Sequence, residues 1–167
     1  MKRTILTTTL CLLFTTILIA QTKEIESLLS KAQKGDLQSQ VTLSRTYYFG
    51  NQKVKRDYSK SFFWCKKASE QGEPKSQFLL SKLFFKGIGT DKDINKSFYW
   101  CNKSALQNDA EAMFFVGRMY LDGIGTEKDT KKALYFIERA YNFGNEDAMV
   151  YWQKNQLWKL EELTTND

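Results

Sequence analysis

The chain contains the heptapeptide GIGTDKD at residues 87–93 and the nearly identical GIGTEKD at residues 123–129. A loop with two glycines, a threonine and a lysine suits either a phosphate-binding loop or a turn between two helices. A phosphate loop lies between a strand and a helix, where backbone amides gather on the anion. Here the preceding residues predict a helix, and the acidic residues within each heptapeptide would repel a phosphate. We therefore interpret the repeated heptapeptide as a turn that joins two helices.

The glycines and the last aspartate of each heptapeptide have different predicted roles. The first glycine is expected to end the preceding helix in the left-handed conformation, which is unfavourable for other residues. The second glycine is expected to let the chain reverse. The aspartate stands one residue before the next predicted helix, where an N-cap belongs. These structural residues are Gly87, Gly89, Asp93, Gly123, Gly125 and Asp129.

The sequence around the heptapeptides also repeats, which predicts a stack of similar units. Trp64 and Cys65 recur as Trp100 and Cys101, 36 residues later. Each unit is predicted to hold two helices. The first helix covers about residues 37–49, 74–86 and 110–122, and the second about residues 58–71, 94–107 and 130–143. Partial units with helices near 23–34 and from about 146 to 163 flank these units, as capping units do in solenoids.

The recurring residues of these units resemble the Sel1-like repeat, a relative of the tetratricopeptide repeat, over about residues 30–155. The third unit matches best, because it has the small residues Ala112 and Gly117, then Tyr120 and the double-glycine loop. The resemblance implies an all-α fold, an α/α solenoid of antiparallel helix pairs. The predicted organisation is a half-repeat at 21–36, repeats at 37–72, 73–108 and 109–144, and a capping helix with a tail at 145–167.

Residues 1–20 are predicted to be a cleaved signal peptide. Lys2 and Arg3 precede an uncharged stretch that contains the apolar run CLLFTTILIA, and Ala20 is small enough to precede a cleavage site. An uncleaved membrane anchor is the alternative. We therefore expect an exported protein, periplasmic or secreted, with membrane contact only if this segment stays uncut. Its cleavage would lower the net charge from +6 to +4, too little to indicate nucleic-acid binding.

The residue types present argue against an enzyme. The chain has no histidine, which excludes Ser-His-Asp and Cys-His catalysis and His-ligated zinc. It also has no Walker-type loop, no Gly-x-Gly-x-x-Gly and no Ser-x-x-Lys motif. We therefore predict no catalytic residue, no metal site and no cofactor.

Cys65 and Cys101 are predicted to be small buried core residues. They occupy equivalent positions on successive second helices, so a further helix should hold their Cα atoms beyond the ~7 Å limit for a disulfide. A redox pair, a metal site or an intermolecular disulfide is the alternative. Cysteine-rich Sel1-repeat proteins of Helicobacter have two bridged cysteines per repeat, and weak β-lactamase activity is ascribed to some. Each repeat here has one cysteine or none, which argues against that activity without excluding it.

Two sets of equivalent residues on the first helices, which we call columns, do not follow the pattern of the predicted core residues. They are predicted to bind a partner. Because residues at i and i+3 share a helix face, they form a basic stripe beside an apolar stripe on the concave side of the stack. Such a groove suits an acidic, amphipathic segment of another protein. A solvated charge row beside partly buried apolar residues is the alternative. The basic column is Arg45, Lys82, Arg118 and Lys154, and the apolar column is Tyr48, Phe85, Leu121 and Leu157.

We expect a non-catalytic scaffold or adaptor that binds other proteins in the bacterial envelope. The resemblance implies scaffold roles for Sel1-like proteins generally. For some exported members it implies an immunity role, in which the protein binds and neutralises a toxic effector. The alternatives are a hydrolase related to the β-lactamase-like members and a membrane-anchored assembly factor.

Overall fold

The protein is described by a computed structural model over residues 23–157, and this part of the chain is helical without a strand. Helix α1 covers residues 23–33 of it. The other helices are α2 (Leu37–Phe49), α3 (Tyr58–Glu70), α4 (Pro74–Lys86), α5 (Ile94–Ala105), α6 (Ala110–Asp122), α7 (Thr130–Asn142) and α8 (Glu146–Lys154). The predicted all-α class is confirmed.

Consecutive helices pack against each other as a stack of hairpins. The closest packing is within the pairs α2–α3, α4–α5 and α6–α7, and each second helix then packs against the first helix of the next pair. The first helices have the predicted bounds, while the second helices end one or two residues earlier than predicted. This arrangement is the expected α/α solenoid, and it exposes one face made by first helices and another made by second helices.

The prediction of a single last helix from about 146 to 163 is wrong. Helix α8 ends at Lys154, and Gln156 has a positive φ of 50°. The Asn155 side chain donates a hydrogen bond from Nδ2 to the Tyr151 carbonyl at 2.8 Å. Asparagine competes with the helix in this way because its short side chain reaches nearby backbone groups. The helix therefore ends without the glycine that marks the other first helices.

The first glycine of each heptapeptide ends a first helix in the predicted way. Gly87 and Gly123 have φ of 67° and 71°, in the left-handed region, and the Gly87 amide donates to the Leu83 carbonyl. Gly50 ends α2 with a φ of 70°. The positive φ explains why glycine stands at this point in all three repeats.

The second glycine of each heptapeptide serves packing between repeats, which the sequence did not predict. A Cβ atom on Gly89 would overlap the carbonyl oxygen of Tyr58, at the start of α3. A Cβ atom on Gly125 would lie 2.6 Å from the carbonyl oxygen of Ile94, at the start of α5. Each loop therefore rests directly on the second helix of the preceding repeat, and only glycine allows that approach.

The predicted aspartate caps are confirmed and have a wider role. Asp93 Oδ1 accepts a hydrogen bond from the Lys96 amide at 2.9 Å, and Asp93 Oδ2 forms an ion pair with Lys96 Nζ at 2.9 Å. The same lysine lies over the buried Phe84 ring at 5.6 Å. The backbone hydrogen bond is the main reason that the pKa of Asp93 is lowered. Asp57 and Asp129 make the same contacts with Lys60 and Lys132.

The contact within each helix pair uses small residues whose sizes compensate each other. In the first two repeats Ser44 and Ser81 lie beside the thiols of Cys65 and Cys101. In the third repeat the equivalent pair is Gly117 and Ile137, and a Cβ atom on Gly117 would lie 2.7 Å from Ile137 Cγ1. The larger partner on the second helix is therefore matched by a smaller residue on the first.

Candidate functional site

The predicted basic column lies on the face formed by α2, α4, α6 and α8, which we call the first-helix face. Arg45, Arg118 and Lys154 are exposed, and Lys82 is partly exposed. Lys82 Nζ lies 4.9 Å from the centre of the Phe78 ring, and these two residues share α4. Cations held against aromatic rings are oriented by the ring quadrupole without losing their contact with solvent.

The Arg118 guanidinium joins two successive first helices. It lies 5.1 Å from the centre of the Tyr151 ring, which belongs to α8. Tyr151 also packs edge-on against Phe114 of α6, with ring centres 5.7 Å apart. Arg118 is therefore held in place on the first-helix face while its charge stays exposed.

The predicted apolar column is only partly available to a partner. Tyr48, Phe85 and Leu121 are half-buried between helices. Tyr48 packs edge-on against Tyr58, and Leu121 packs against the cluster formed by α7 and Leu157. Leu157 does not belong to the stripe. It is only 3% exposed, because the chain leaves α8 at Asn155 and turns Leu157 into the core.

Phe85 and Arg118 meet at one small cleft between α4 and α6. The Phe85 ring packs edge-on against Phe115, with ring centres 5.4 Å apart, and Phe115 also contacts Phe78. The cleft has a volume of about 160 Å³. Its lining consists of Phe85, Phe114, Phe115, Arg118, Met119, Asp122 and Ile124. Of the eight predicted partner-binding residues, the structure thus brings two together in one cavity.

Sequence reasoning missed the aromatic and acidic residues of this cleft. Neither Phe114 nor Phe115 was among the predicted partner-binding residues, and both are partly buried. Ile124 is the isoleucine of GIGTEKD, and its position inside the repeated heptapeptide indicates that the loop contributes to the cleft. Asp122 carries a negative charge at the rim, so the lining combines one cation, one anion and an aromatic floor.

A second cavity lies at the N-terminal end of the stack, between α1, α2 and the first loop. Its volume is about 530 Å³. An ion pair between Lys53 Nζ and Glu24 Oε2 at 2.8 Å links the loop to α1 across this end. None of the predicted partner-binding residues lines it.

Cysteine and acidic side chains are the possible metal ligands of the described residues, since the chain has no histidine. No group of three or more cysteine or acidic side chains in residues 23–157 is placed to hold a metal ion. Cys65 and Cys101 are free and buried, in agreement with their interpretation as core residues. Burial raises the pKa of Cys65 to about 12 and raises that of Cys101 further. Both thiols are therefore protonated at neutral pH and are poor nucleophiles.

The stacked antiparallel helix pairs with glycine turns define this protein as an α/α-solenoid repeat protein. The family model of the Sel1 repeat matches the chain three times, at residues 38–73, 74–109 and 110–145. The chain belongs to the Sel1 repeat family. Members of this family are generally protein-interaction scaffolds that bind other proteins.

Solved structures of Sel1 repeat proteins share this fold. A Sel1 repeat protein from Oxalobacter formigenes is 32% identical, with a TM-score of 0.71 over 79% of this chain and 98% of that chain. The cysteine-rich protein B of Helicobacter pylori is 22% identical, with a TM-score of 0.59 over 78% of this chain and 92% of that one. A protective antigen of uropathogenic Escherichia coli, c5321, is also 22% identical, with a TM-score of 0.57 over 78% and 36%.

A curated relative resembles a single segment of the chain. The component HRD3A of an ERAD-associated E3 ubiquitin-protein ligase from Arabidopsis thaliana is 37% identical over 59 residues. The match covers 35% of this chain and only 9% of the relative. Within residues 23–157, no helix is long and apolar enough to cross a membrane. The predicted signal peptide lies outside these residues.

Proposed function

We propose that this protein is a non-catalytic scaffold that holds another protein on its first-helix face. The observation that carries the proposal is the aromatic cleft of Phe85, Phe114 and Phe115 beside the exposed Arg118. Binding energy in protein interfaces is concentrated in a few anchor side chains that fill such pockets, surrounded by polar contacts. The cleft supplies the pocket, and the basic column supplies the polar contacts.

The size of the cleft favours a protein side chain over a metabolite. Ligand pockets usually have volumes of ~300–1,000 Å³, whereas this cleft has about 160 Å³. It therefore takes one apolar side chain of the partner. Arg118 lines the cleft, and the partly exposed Lys82 stands three residues before Phe85 on α4, so acidic residues that flank the anchor would gain charge-assisted contacts. This pattern is that of an acidic, amphipathic segment.

The experiment compares capture of the partner by matched charge reversals. The full chain is expressed with an affinity tag in its native cells, and proteins that copurify with it are identified by mass spectrometry. Lys82→Glu with Arg118→Glu should lose the partner. Lys55→Glu with Lys131→Glu changes the net charge equally at exposed positions away from the cleft, and should retain it. Equal capture by the two variants would refute the first-helix face as the binding site.

We propose further that the scaffold works outside the bacterial cytoplasm. Support comes from the charge and apolarity pattern of residues 1–20 and from the solved bacterial relatives. Mass spectrometry of the mature N-terminus, from separated envelope and cytoplasmic fractions, tests this location. A chain recovered from the cytoplasm that begins at Met1 would contradict export, and an intact chain in the membrane fraction would indicate the anchored assembly factor.

Within that location we propose that the bound protein is a toxic effector, which the scaffold neutralises. The support is the family resemblance, which implies an immunity role for some exported members. Cells that lack the gene should be sensitive to the captured partner, and the wild-type chain should protect them while the Lys82→Glu, Arg118→Glu variant should not. Protection by both chains would contradict neutralisation through this face.

The hydrolase alternative has no observation in its favour. Its candidate thiols are buried and protonated, and the chain has no histidine to activate a serine. A purified sample should leave a chromogenic β-lactam unhydrolysed. Hydrolysis of more than one β-lactam molecule per protein chain would overturn the non-catalytic assignment, provided that a mock purification shows none.

A further inference from the structure

The second helices carry a regular set of aromatic and basic side chains, all but one of them exposed, that lies apart from the first-helix face. Each of α3, α5 and α7 presents a basic residue, an aromatic residue and another basic residue at positions i, i+3 and i+7. These spacings place the three side chains along one helix face. We call the nine residues the aromatic–basic grid. They are Lys60, Phe63 and Lys67, then Lys96, Tyr99 and Lys103, then Lys132, Tyr135 and Arg139.

The aromatic residues of the grid are not core residues. Phe63, Tyr99 and Tyr135 are 51%, 51% and 50% exposed, whereas the residue that follows each of them packs inward. Leu106 and Phe143, where α5 and α7 end, are exposed to a similar extent. Core packing therefore does not explain why all three repeats keep an aromatic ring at this position.

Positive charge is concentrated on the same helices. Together α3, α5 and α7 contain eight lysine or arginine residues and two glutamates. The first helices α2, α4, α6 and α8 contain six basic and four acidic residues. The second helices therefore have a net charge of +6, or +3 with their three capping aspartates, against +2 for the first helices, or −1 with their three acidic caps.

Two cations in the second row of the grid, Lys67 and Lys103, are exposed, whereas Arg139 is partly buried and donates hydrogen bonds to the Tyr135 hydroxyl and to Asn108 Oδ1. Lys103 Nζ lies 5.1 Å from the centre of the Tyr99 ring, and the Arg139 guanidinium lies 5.3 Å from that of Tyr135. Neither these two nor Lys67 forms an ion pair with another residue of the 23–157 range. By contrast, the first row of lysines is paired with the capping aspartates.

We propose that the aromatic–basic grid binds the surface of an anionic lipid bilayer. Tyrosine and phenylalanine rings with an apolar body suit the boundary between acyl chains and headgroups, and lysine and arginine reach the lipid phosphates above them. Each cation near an anionic surface strengthens the attraction about fivefold. The protein would lie with its second helices against the membrane.

A bilayer fits the grid better than an acidic protein segment does. The grid repeats in register on three helices, and a bilayer surface is uniform over that distance, so it presents the same headgroup charge to each of the three helices. None of the grid residues lines either cavity of the stack, so an anchor side chain finds its pocket on the first-helix face instead. Lipid binding by the second helices would leave that face open to a protein partner.

The test is cosedimentation of the full chain with two kinds of vesicle, one of phosphatidylcholine and one of phosphatidylcholine with 30% phosphatidylglycerol. The readout is the ratio of the two partition coefficients. Any contribution of the uncharged residues 4–22 cancels in this ratio. The wild-type ratio should exceed tenfold at low salt and fall as salt screens the surface.

Matched variants locate the binding surface. Lys67→Gln, Lys103→Gln and Arg139→Gln together should lower the ratio by up to about 100-fold, towards unity, because three surface cations are lost. Lys34→Gln, Lys75→Gln and Lys86→Gln remove the same charge from exposed positions outside the grid and should lower it only a few-fold. Phe63→Ser with Tyr99→Ser should weaken binding to the anionic vesicles about tenfold, since two rings leave the interface.

Three results would overturn the proposal. One is a wild-type ratio near unity. Another is an equal loss in the two triple-glutamine variants, which would indicate net charge rather than the grid. The third is unchanged binding of the Phe63→Ser, Tyr99→Ser variant, because an acidic polymer attracted by charge alone needs no rings. Circular dichroism should show that each variant remains folded, because all but one of the substituted residues are exposed.

Discussion

Replacing Gly117 by serine tests how each helix pair of this solenoid is packed. A Cβ atom at residue 117 would lie 2.7 Å from Ile137 Cγ1 and 3.1 Å from the Ala133 carbonyl oxygen. Serine is present at the equivalent residue of the first two repeats, where it faces a cysteine. Cysteine has two side-chain heavy atoms fewer than isoleucine, so the same first-helix residue that fits those repeats is too large for the third.

The expected change in the free energy of unfolding is the difference between two opposing contributions. Overpacking of a tight helix contact costs ~1–3 kcal/mol. Serine favours the helix over glycine by up to ~0.5 kcal/mol, which offsets a small part of this. Gly117→Ser should therefore destabilise the protein by ~0.5–2.5 kcal/mol. Ile137→Cys alone should cost ~1–3 kcal/mol because it removes a fully buried branched side chain.

The double variant Gly117→Ser, Ile137→Cys recreates the pair found in the first two repeats. It should be more stable than the sum of the single changes by ~1–3 kcal/mol, as neighbouring residues in one contact couple. Urea unfolding followed by far-ultraviolet circular dichroism measures all four proteins of the cycle. The reverse transplant, Ser81→Gly with Cys101→Ile, should show coupling of the same sign in the second repeat.

Two results would refute this reasoning. A Gly117→Ser variant that is as stable as the wild type would show that α6 and α7 move apart without a loss of stability. Strict additivity in the cycle would show that the two residues do not compensate each other in size, and that glycine stands at residue 117 for another reason.

Three further predictions concern loops, caps and thiols. Gly89→Ala should unfold at clearly lower urea than Gly144→Ala, because both have a positive φ but only residue 89 has backbone in the space of its Cβ; equal midpoints would contradict the packing role of the second glycine. The lowered pKa of the capping aspartates gives stability that is present above the ordinary value of 3.8 and lost as pH falls below it; thermal melts from pH 7 to pH 2 should show this loss, and asparagine at all three caps should flatten it. Cys65, with a pKa of about 12, should react with a thiol reagent at pH 8 only as fast as the protein opens; urea should accelerate it, and immediate reaction in the native state would show that the thiol is accessible.

The helices and turns were predictable because their causes are local. The glycine that ends a first helix and the aspartate that begins the next act within a few residues of the chain, and their spacing of 36 or 37 residues reveals them three times. The end of α8 was not predicted because no glycine marks it. Asn155 ends that helix through its own side chain, and this moved Leu157 from the predicted stripe into the core.

The candidate site was only half predictable, because exposure depends on what lies opposite a side chain. Arg118 and Phe85 were identified by their columns, but Phe114 and Phe115 look like core residues in the sequence. Phe63 and Trp64 are likewise adjacent aromatic residues that recur as a pair in the next repeats, so the sequence pattern does not show which of the two is exposed. Only packing separates them, with one half-exposed and the other buried.

The sequence by itself determined the repeat, the helix pairs and their caps, because these depend on spacing and on backbone preferences that each residue carries with it. The tertiary structure alone decided why the second glycine of GIGTDKD is needed, since the backbone of Tyr58 that excludes a side chain there lies about thirty residues earlier in the chain. It also decided which aromatic and basic residues face solvent. Such contacts join residues that are distant in sequence, and no local pattern encodes the space between them.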